Sequence, residues 1–376
     1  MNEDYTQPPL VDITLPSAFI LSYSHLIFLY LSSFVLDLIL LRNQIRFNPI
    51  CVRVFIALFH ASLPLIFISP SRLFNIFFAG IPWFFAAHAA YMPPNDLSPA
   101  RFFKSLLKMT SIPSTASTKV IRYRGAANIC LGFLKLSFMS LFIDPLLPQK
   151  PIFALYYTWF HPMSLLYTAL YGVKAYCILG VVDIGLGVEQ VVTGWEMIQL
   201  FDSPVLSTSP RDFWSRRWNR IVRNMLHTQV FSVQDLNNKK EKEPEIQKTE
   251  NMTGDDSEEQ EVFVIVQQSK SSRQQKEPKL KPKVNMFGRG LVTFFVSGLF
   301  HEMIIMSTCR KITLENLAFF LLQGFVVALE VALRRQGLLR KVPQGKTRVF
   351  CIMAQLIFMA LTGRLFLGPF LRYEFI

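Results

Sequence analysis

Residues Ala18 to Leu41 form a run of 24 with only one acid, Asp37, and one histidine, His25. A bilayer core about 30 Å thick is crossed by about 20 apolar helical residues, so this run is long enough to span. In hydrocarbon every backbone polar group must be satisfied within the segment, which leaves a helix as the structure such a run can take. Further apolar blocks cover Val54–Ser69, Leu73–Tyr91, Ala127–Ile143, Met163–Val188, Gly290–Thr308, Thr313–Leu333 and Val349–Phe370. A length of 376 residues would suit two soluble domains, yet only 17% of the residues are charged and 35 are Phe. Soluble domains carry about 25% charged residues and show periodic rather than solid apolar patterning. The predicted fold class is therefore all-α: a polytopic transmembrane helical protein of about eight spans. The first block exceeds a signal-peptide core and follows acidic residues (Glu3, Asp4, Asp12), so it reads as an uncleaved signal anchor. Phe153–His161 is apolar but short and closes at Pro162, the pattern of a re-entrant or interfacial piece, and Pro64 is placed to kink the second span.

Lys and Arg accumulate on the cytoplasmic side of membrane proteins. The basic linkers here follow spans one (Arg42, Arg46, Arg53), three (Arg101, Lys104, Lys108, Lys119, Arg122, Arg124), five (Arg211, Arg216, Arg217, Arg220, Arg223) and seven (Arg334, Arg335, Arg340, Lys341, Lys346, Arg348). Odd-numbered spans thus exit to the cytoplasm, and both termini are expected in the lumen. Four segments follow: a lumenal tail (1–17), helices with a cytoplasmic aromatic–basic segment (18–231), a charged cytoplasmic insert (232–283), and closing helices (284–376). The insert holds ten basic and eleven acidic residues and is expected to be disordered, because it cannot bury enough apolar surface to fold. With the insert at −1, the formal +13 of the chain leaves +14 on the remaining residues, beside anionic cytoplasmic lipid, and needs no nucleic acid to explain it. Within the insert, Val262–Val266 is an apolar run that reads as a docking strand or as an accident of composition. The sequon at Asn251 falls on the cytoplasmic side and is expected to stay unmodified. Five scattered cysteines without a CxxC pair argue against a disulfide framework or a zinc site.

Ionisable groups inside spans are costly and mark function or a partner on a neighbouring helix. They are His25, Asp37, His60, His88, Lys135, Asp183, His301, Glu302 and Glu330. His301 and Glu302 stand apart, being adjacent and about 16 Å from the cytoplasmic end of the sixth span at 1.5 Å per residue. A neutral histidine there can take a proton from a hydroxyl, with Ser297 on the same face; a buried polar knot is the other reading. The sequence His301-Glu302-Met-Ile-Ile lacks the second histidine of a zincin helix. A His-x4-Asp pair, a G-x-S-x-G elbow, a Walker loop and a His-rich iron box are also missing.

The other unusual stretch is Ser209-Pro-Arg-Asp-Phe-Trp-Ser-Arg-Arg-Trp-Asn-Arg220. On a helix Trp214 and Trp218 lie one turn apart with Arg216 and Arg217 between them, and Ser209 or Asp212 is placed to cap. An interfacial anchor is one reading; a stacking and phosphate-binding platform is the other.

The run PRDFWSRRWN, followed later by TFFVSGLFHE in an apolar helix, resembles the wax synthase branch of the membrane-bound O-acyltransferases. The resemblance is clearest over residues 203–230 and 288–307. It implies a single wax synthase-like domain with a central reaction chamber that uses no cofactor and requires no metal or covalent intermediate. The implied reaction transfers an acyl group from acyl-CoA, as co-substrate, to a lipophilic alcohol in a multi-pass protein of the endoplasmic reticulum. In that reading His301 takes the acceptor proton, Asn219 orients or polarises the reacting groups, and Glu302 tunes or positions His301. Trp214, Arg216, Arg217 and Trp218 fall in the segment associated with the CoA donor. The insert departs from the pattern, separating Asn219 from His301 by 82 positions; with both ends cytoplasmic it can loop out at little entropic cost. Wax-ester synthesis and acetylation of a terpenoid or similar natural product both fit. A non-enzymatic transporter or lipid-binding protein is the alternative of another class, and it predicts helices in inverted repeats, which are not seen.

Overall fold

A computed structural model describes residues 7–43, 48–92, 97–231, 286–338 and 343–373. The charged insert, its apolar run Val262–Val266 and its sequon lie outside the described residues. The helices are α1 (Tyr23–Arg42), α2 (Pro49–Ile66), α3 (Arg72–Tyr91), α4 (Pro99–Lys108), α5 (Thr118–Phe138), α6 (Pro162–Ile178), α7 (Gly180–Thr193), the single turn α8 (Pro210–Asp212), α9 (Arg220–Phe231), α10 (Met286–Cys309), α11 (Glu315–Arg335) and α12 (Gly345–Arg372). Among the described residues eight helical segments are long and apolar enough to cross a membrane. The chain is a multi-pass integral membrane protein, as the apolar blocks require.

Helix starts follow local chemistry. Ser22, Asn48, Ser71 and Ser98 each cap a helix with a side-chain oxygen that accepts a backbone N–H, and Pro49 and Pro99 occupy the first helical position. Pro64 sits inside the last turn of α2, which continues to Ile66.

Alternate linkers gather at opposite ends. At one end four two-residue strands tie the loops: β1 (Ile13–Thr14) pairs antiparallel with β4 (Lys311–Ile312), and β2 (Phe19–Ile20) pairs parallel with β3 (Phe67–Ile68). Arg372 adds bonds to Glu315 and to the Gln7 carbonyl at the same end. The basic linkers meet at the other end. There Arg42 donates to the Leu97 carbonyl, Arg124 pairs with Glu196 at 2.9 Å, and Lys104 and Lys108 lie over the Trp195 ring. Both chain ends described therefore sit opposite the basic linkers, which is the arrangement an even number of spans demands.

Two boundaries differ from the apolar blocks. The fourth span begins at Thr118, nine residues before the block, because the helix continues through Lys119, Arg122 and Arg124 into the polar layer. The fifth span is not one helix: α6 ends at Ile178 and α7 begins at Gly180. The break aligns α7 antiparallel to α5, with Gly132 against Gly180 and Gly125 against Gly187. A Cβ on Gly132 would meet the Gly180 carbonyl oxygen at 2.5 Å. We expect Gly132→Val to part these helices and reduce the amount of folded protein severalfold, measured by fluorescence-detected size exclusion in detergent; unchanged folded yield would contradict this packing. Phe153–His161 forms a short 3-10 piece and turns, anchored by Trp159 Nε1 donating to the Leu361 carbonyl at 2.7 Å.

Candidate active site

The aromatic–basic segment is clamped at its start by Glu330 of α11. This carboxylate accepts from Ser209 Oγ at 2.8 Å, from the Arg211 amide at 2.9 Å and from Arg334 at 2.9 Å. Ser209 also accepts from the Asp212 amide at 3.2 Å, and Asp212 accepts from the Thr208 amide at 3.1 Å, so both predicted caps are used reciprocally. After α8 the chain takes a π-turn over Phe213–Arg217, Trp218 is extended, and Asn219 is left-handed at φ 41°. The expected placing of Trp214 and Trp218 one helical turn apart is corrected here. The wide turn and the break at 218–219 send the two indoles apart, and Phe213 lies between them with centroids at 5.0 and 5.2 Å.

Each member of the segment then has a definite place. Arg217 turns inward, donating to Asp212 at 2.9 Å and to the Asp202 and Ser203 carbonyls at 3.0 and 3.2 Å. Arg216 points out and is largely exposed, 3.9 Å from Asp212. Trp218 packs between Phe213 and Phe201. Asn219 Oδ1 accepts from the Val222 amide at 3.2 Å, capping α9. A non-glycine residue at positive φ is uncommon and Asn is among the residues that tolerate it best, so the cap and the backbone turn select the same residue. Trp214 reaches into the bundle. Its Nε1 donates to Gln323 Oε1 at 3.0 Å, and Gln323 Nε2 donates to Thr362 Oγ1 at 3.0 Å, joining the segment to α11 and α12.

His301 faces the same interior. Its ring lies 4.5 Å from Phe320 of α11 and 5.4 Å from Phe366 of α12, centroid to centroid, and Trp214 packs on the same Phe320 at 5.6 Å. Nδ1 is 2.8 Å from the Ser297 carbonyl oxygen. A carbonyl only accepts, so Nδ1 carries the proton, and in the neutral ring Nε2 keeps its lone pair. Among the described residues Nε2 has no hydrogen-bond partner, and the side chain is only half-buried. The arrangement is that of a base with one nitrogen held and the other open. Ser297 contributes its backbone carbonyl to this geometry.

Glu302 turns away from His301. Its Oε1 accepts from the Thr313 amide and hydroxyl at 2.7 and 3.0 Å and from the Leu314 amide at 2.7 Å, binding the turn between α10 and α11. Successive residues diverge by about 100° around a helix, so adjacency in sequence does not bring the two side chains together. His301 and Trp214 thus share a wall at Phe320, whereas no hydrogen bond among the described residues joins His301 to Asn219 or Glu302. Phe320, Phe366, Gln323 and Thr362 escape a search confined to ionisable groups; an amide inside an apolar span is the signal that points to Gln323.

The remaining intramembrane ionisable groups meet partners. Asp37 and His60 pair at 2.7 Å between α1 and α2, Lys135 and Asp183 at 2.6 Å between α5 and α7, and His88 bonds Ser105 at 2.7 Å. His25 meets the Ser22 cap at 2.7 Å.

No family model matches the chain. The chain is 30% identical over 207 residues to a probable long-chain-alcohol O-fatty-acyltransferase 1 of Arabidopsis thaliana, a stretch of 54% of this chain and 48% of that protein. It is 28% identical over 210 residues to a second such protein of the same plant, covering 55% and 49%. An acyl-CoA–sterol O-acyltransferase 1, also of Arabidopsis thaliana, is 27% identical over 141 residues, covering 37% and 30%. The chain spans about half the length of the curated relatives it matches first.

Proposed function

We propose that this protein transfers an acyl group from acyl-CoA to the hydroxyl of an apolar alcohol, as a member of the wax synthase branch of membrane-bound O-acyltransferases. The observation that carries the reading is His301, with Nδ1–H spent on the Ser297 carbonyl and the Nε2 lone pair open beside Phe320 and Phe366. The plant relatives are named for transfer of fatty acyl groups to long-chain alcohols or of acyl-CoA acyl groups to sterols, and the same chemistry suits a base placed in apolar surroundings.

In the reaction the acceptor oxygen attacks the thioester carbonyl carbon while His301 Nε2 takes the hydroxyl proton. The tetrahedral intermediate collapses with cleavage of the C–S bond, and the imidazolium returns its proton to the departing CoA sulfur. Free CoA and the ester are the products. Aromatic walls that keep water out favour the alcohol over hydrolysis, and holding the two substrates in contact supplies much of the acceleration. Asn219 orients the segment that presents the thioester, Trp214 joins that segment to the catalytic layer, and Glu302 acts on His301 by fixing the turn that follows its helix. Acyl-CoA arrives from the basic end, taken as cytoplasmic, and an endoplasmic reticulum membrane would supply the alcohol. Long acyl chains are favoured over acetyl because the relatives' names carry fatty acyl groups.

The two arginines divide in role. Arg216 is exposed and free to meet a CoA phosphate, whereas Arg217 holds three local oxygen acceptors. Arg216→Ala should raise KM for palmitoyl-CoA about threefold to tenfold, the scale of roughly 1 kcal/mol for an exposed charge contact, and leave KM for the alcohol unchanged. Arg217→Ala should instead lower protein abundance. An Arg216→Ala enzyme with unaltered KM for both substrates would remove Arg216 from donor binding. Esterification itself is tested by expressing the chain in microsomes lacking the activity, with labelled acyl-CoA and a panel of fatty alcohols, sterols and terpenols.

A further inference from the structure

We propose that Lys104, Lys108 and Arg122, gathered around the Trp195 indole at the basic end, form a seat for the head group of an anionic phospholipid. The proposal goes beyond the transfer reading and does not depend on it. Helix α4 has distinct faces. Phe102 turns to the bundle, against Phe34 and His88, and Ser105 bonds His88 at 2.7 Å. Lys104 and Lys108, four residues apart, share another face, and both ammoniums come over the Trp195 ring, 5.9 and 5.7 Å from its centroid. Arg122 of α5 reaches the adjoining residue, with Nε 4.0 Å from where a Cβ on Gly194 would stand. Backbone bonds hold the arrangement: the Ile112 amide donates to the Glu196 carbonyl and the Ile198 amide to the Thr110 carbonyl, both at 2.8 Å.

Charges of one sign brought together on a helix face repel, and the indole attracts each without neutralising either. The neighbouring carboxylates bond elsewhere. Glu196 accepts from Arg124 through both oxygens and from Ser114 Oγ, all at 2.9 Å, and Glu189 accepts from Thr110 Oγ1 at 3.3 Å. Among the described residues Lys104, Lys108 and Arg122 form no ion pair. The cluster therefore offers surplus N–H donors to an anion. Its surroundings select a lipid. Phe103 on α4 and Val120 and Tyr123 on α5 are exposed beside the basic residues, Tyr123 by 77%. Aromatic and aliphatic side chains interleaved with Lys and Arg belong where head groups meet acyl chains. A soluble polyanion such as CoA would match the cations and leave Phe103 and Tyr123 in water; a phospholipid meets both.

Purified full-length protein in detergent would be titrated with dioleoyl phosphatidylserine, dioleoyl phosphatidylcholine or free CoA, with bound molecules counted by native mass spectrometry. The two lipids share their acyl chains, so head-group charge alone separates them. Phosphatidylserine should be retained at about tenfold lower concentration than phosphatidylcholine. Lys104→Gln with Lys108→Gln should raise the phosphatidylserine concentration required by about tenfold or more, since one basic residue at an anionic lipid surface is worth about fivefold. Lys346→Gln with Arg348→Gln, which neutralises two exposed cations in the first turn of α12, should shift it by less than about twofold, because diffuse charge is screened. Arg122→Gln, on a separate helix, should weaken retention about fivefold and serves if the double lysine variant does not fold. Equal losses from the two double variants would reveal only diffuse attraction to a basic surface and overturn the seat. Equal retention of the two lipids by the unaltered protein would overturn it as well. So would displacement of phosphatidylserine by free CoA that disappears with Lys104 and Lys108, which would give the cluster to the donor's phosphates.

Discussion

His301→Ala should reduce ester formation by about a thousandfold or more while leaving the amount of folded protein within about twofold of the unaltered chain. General base catalysis contributes on the order of 10² to 10⁴ in rate, and among the described residues no second imidazole contacts the Phe320–Phe366 wall. The fold should tolerate the change because the hydrogen bond lost is to the helix's own Ser297 carbonyl, and among the described residues no ion pair or inter-helix hydrogen bond depends on the ring. Loss of activity with intact size-exclusion behaviour therefore separates chemistry from folding. His301→Gln, which keeps a hydrogen-bonding side chain but no titratable nitrogen, should be equally inactive. Turnover retained in either variant would take the histidine out of the mechanism.

The second large effect concerns stability. Lys135→Met leaves Asp183 without its cation in the bundle, where the pair now meets at 2.6 Å with both side chains about nine-tenths buried. Removing one partner of a buried ion pair costs about 3–5 kcal/mol, which should lower the midpoint of thermal unfolding in detergent by several degrees and reduce expression. Replacing both residues, as Lys135→Met with Asp183→Leu, should recover most of the loss, because no orphaned charge remains. The lysine also lies 4.3 Å from the Tyr176 ring centroid and 5.0 Å from that of Phe201, and Phe201 packs on Trp218. The single variant should consequently weaken donor binding too. Identical unfolding midpoints for the single variant and the parent would show that the pair contributes nothing.

Much of the scaffold is legible in the sequence because the bilayer imposes one length scale. A block such as Ala18–Leu41 can only span, and basic residues after alternate blocks order the loops into two sets that the structure does place at opposite ends. Helix limits are less legible, since hydropathy marks the stretch that faces lipid and not the full helix: α5 runs nine residues beyond its block into basic sequence. The break between α6 and α7 is hidden for another reason. Nothing in Cys-Ile-Leu-Gly forbids a helix, and the interruption comes from the close approach of α7 to the glycines of α5.

The candidate site divides in the same way. His301 is legible as a titratable group deep in a span, but its tautomer depends on a backbone carbonyl one turn earlier. Glu302 shows the limit of reading neighbours as partners, because its bonds go to Thr313 and Leu314. Around Trp214 and Trp218 the spacing of four suggests a shared helical face; a π-turn and a left-handed Asn219 undo it, and neither leaves a mark in residue spacing. Gln323 carries no charge, so a search for ionisable groups passes over the amide that connects the aromatic–basic segment to α12.

The most direct measurement is thin-layer or mass-spectrometric detection of labelled ester after microsomes containing this chain receive [14C]palmitoyl-CoA and 1-hexadecanol. The account predicts hexadecyl palmitate, with free CoA released in equal amount and little free palmitate. If the label is recovered as unreacted thioester or as palmitate, with no ester from hexadecanol or any sterol, terpenol or short-chain acyl donor tried beside it, the chain is not an alcohol acyltransferase.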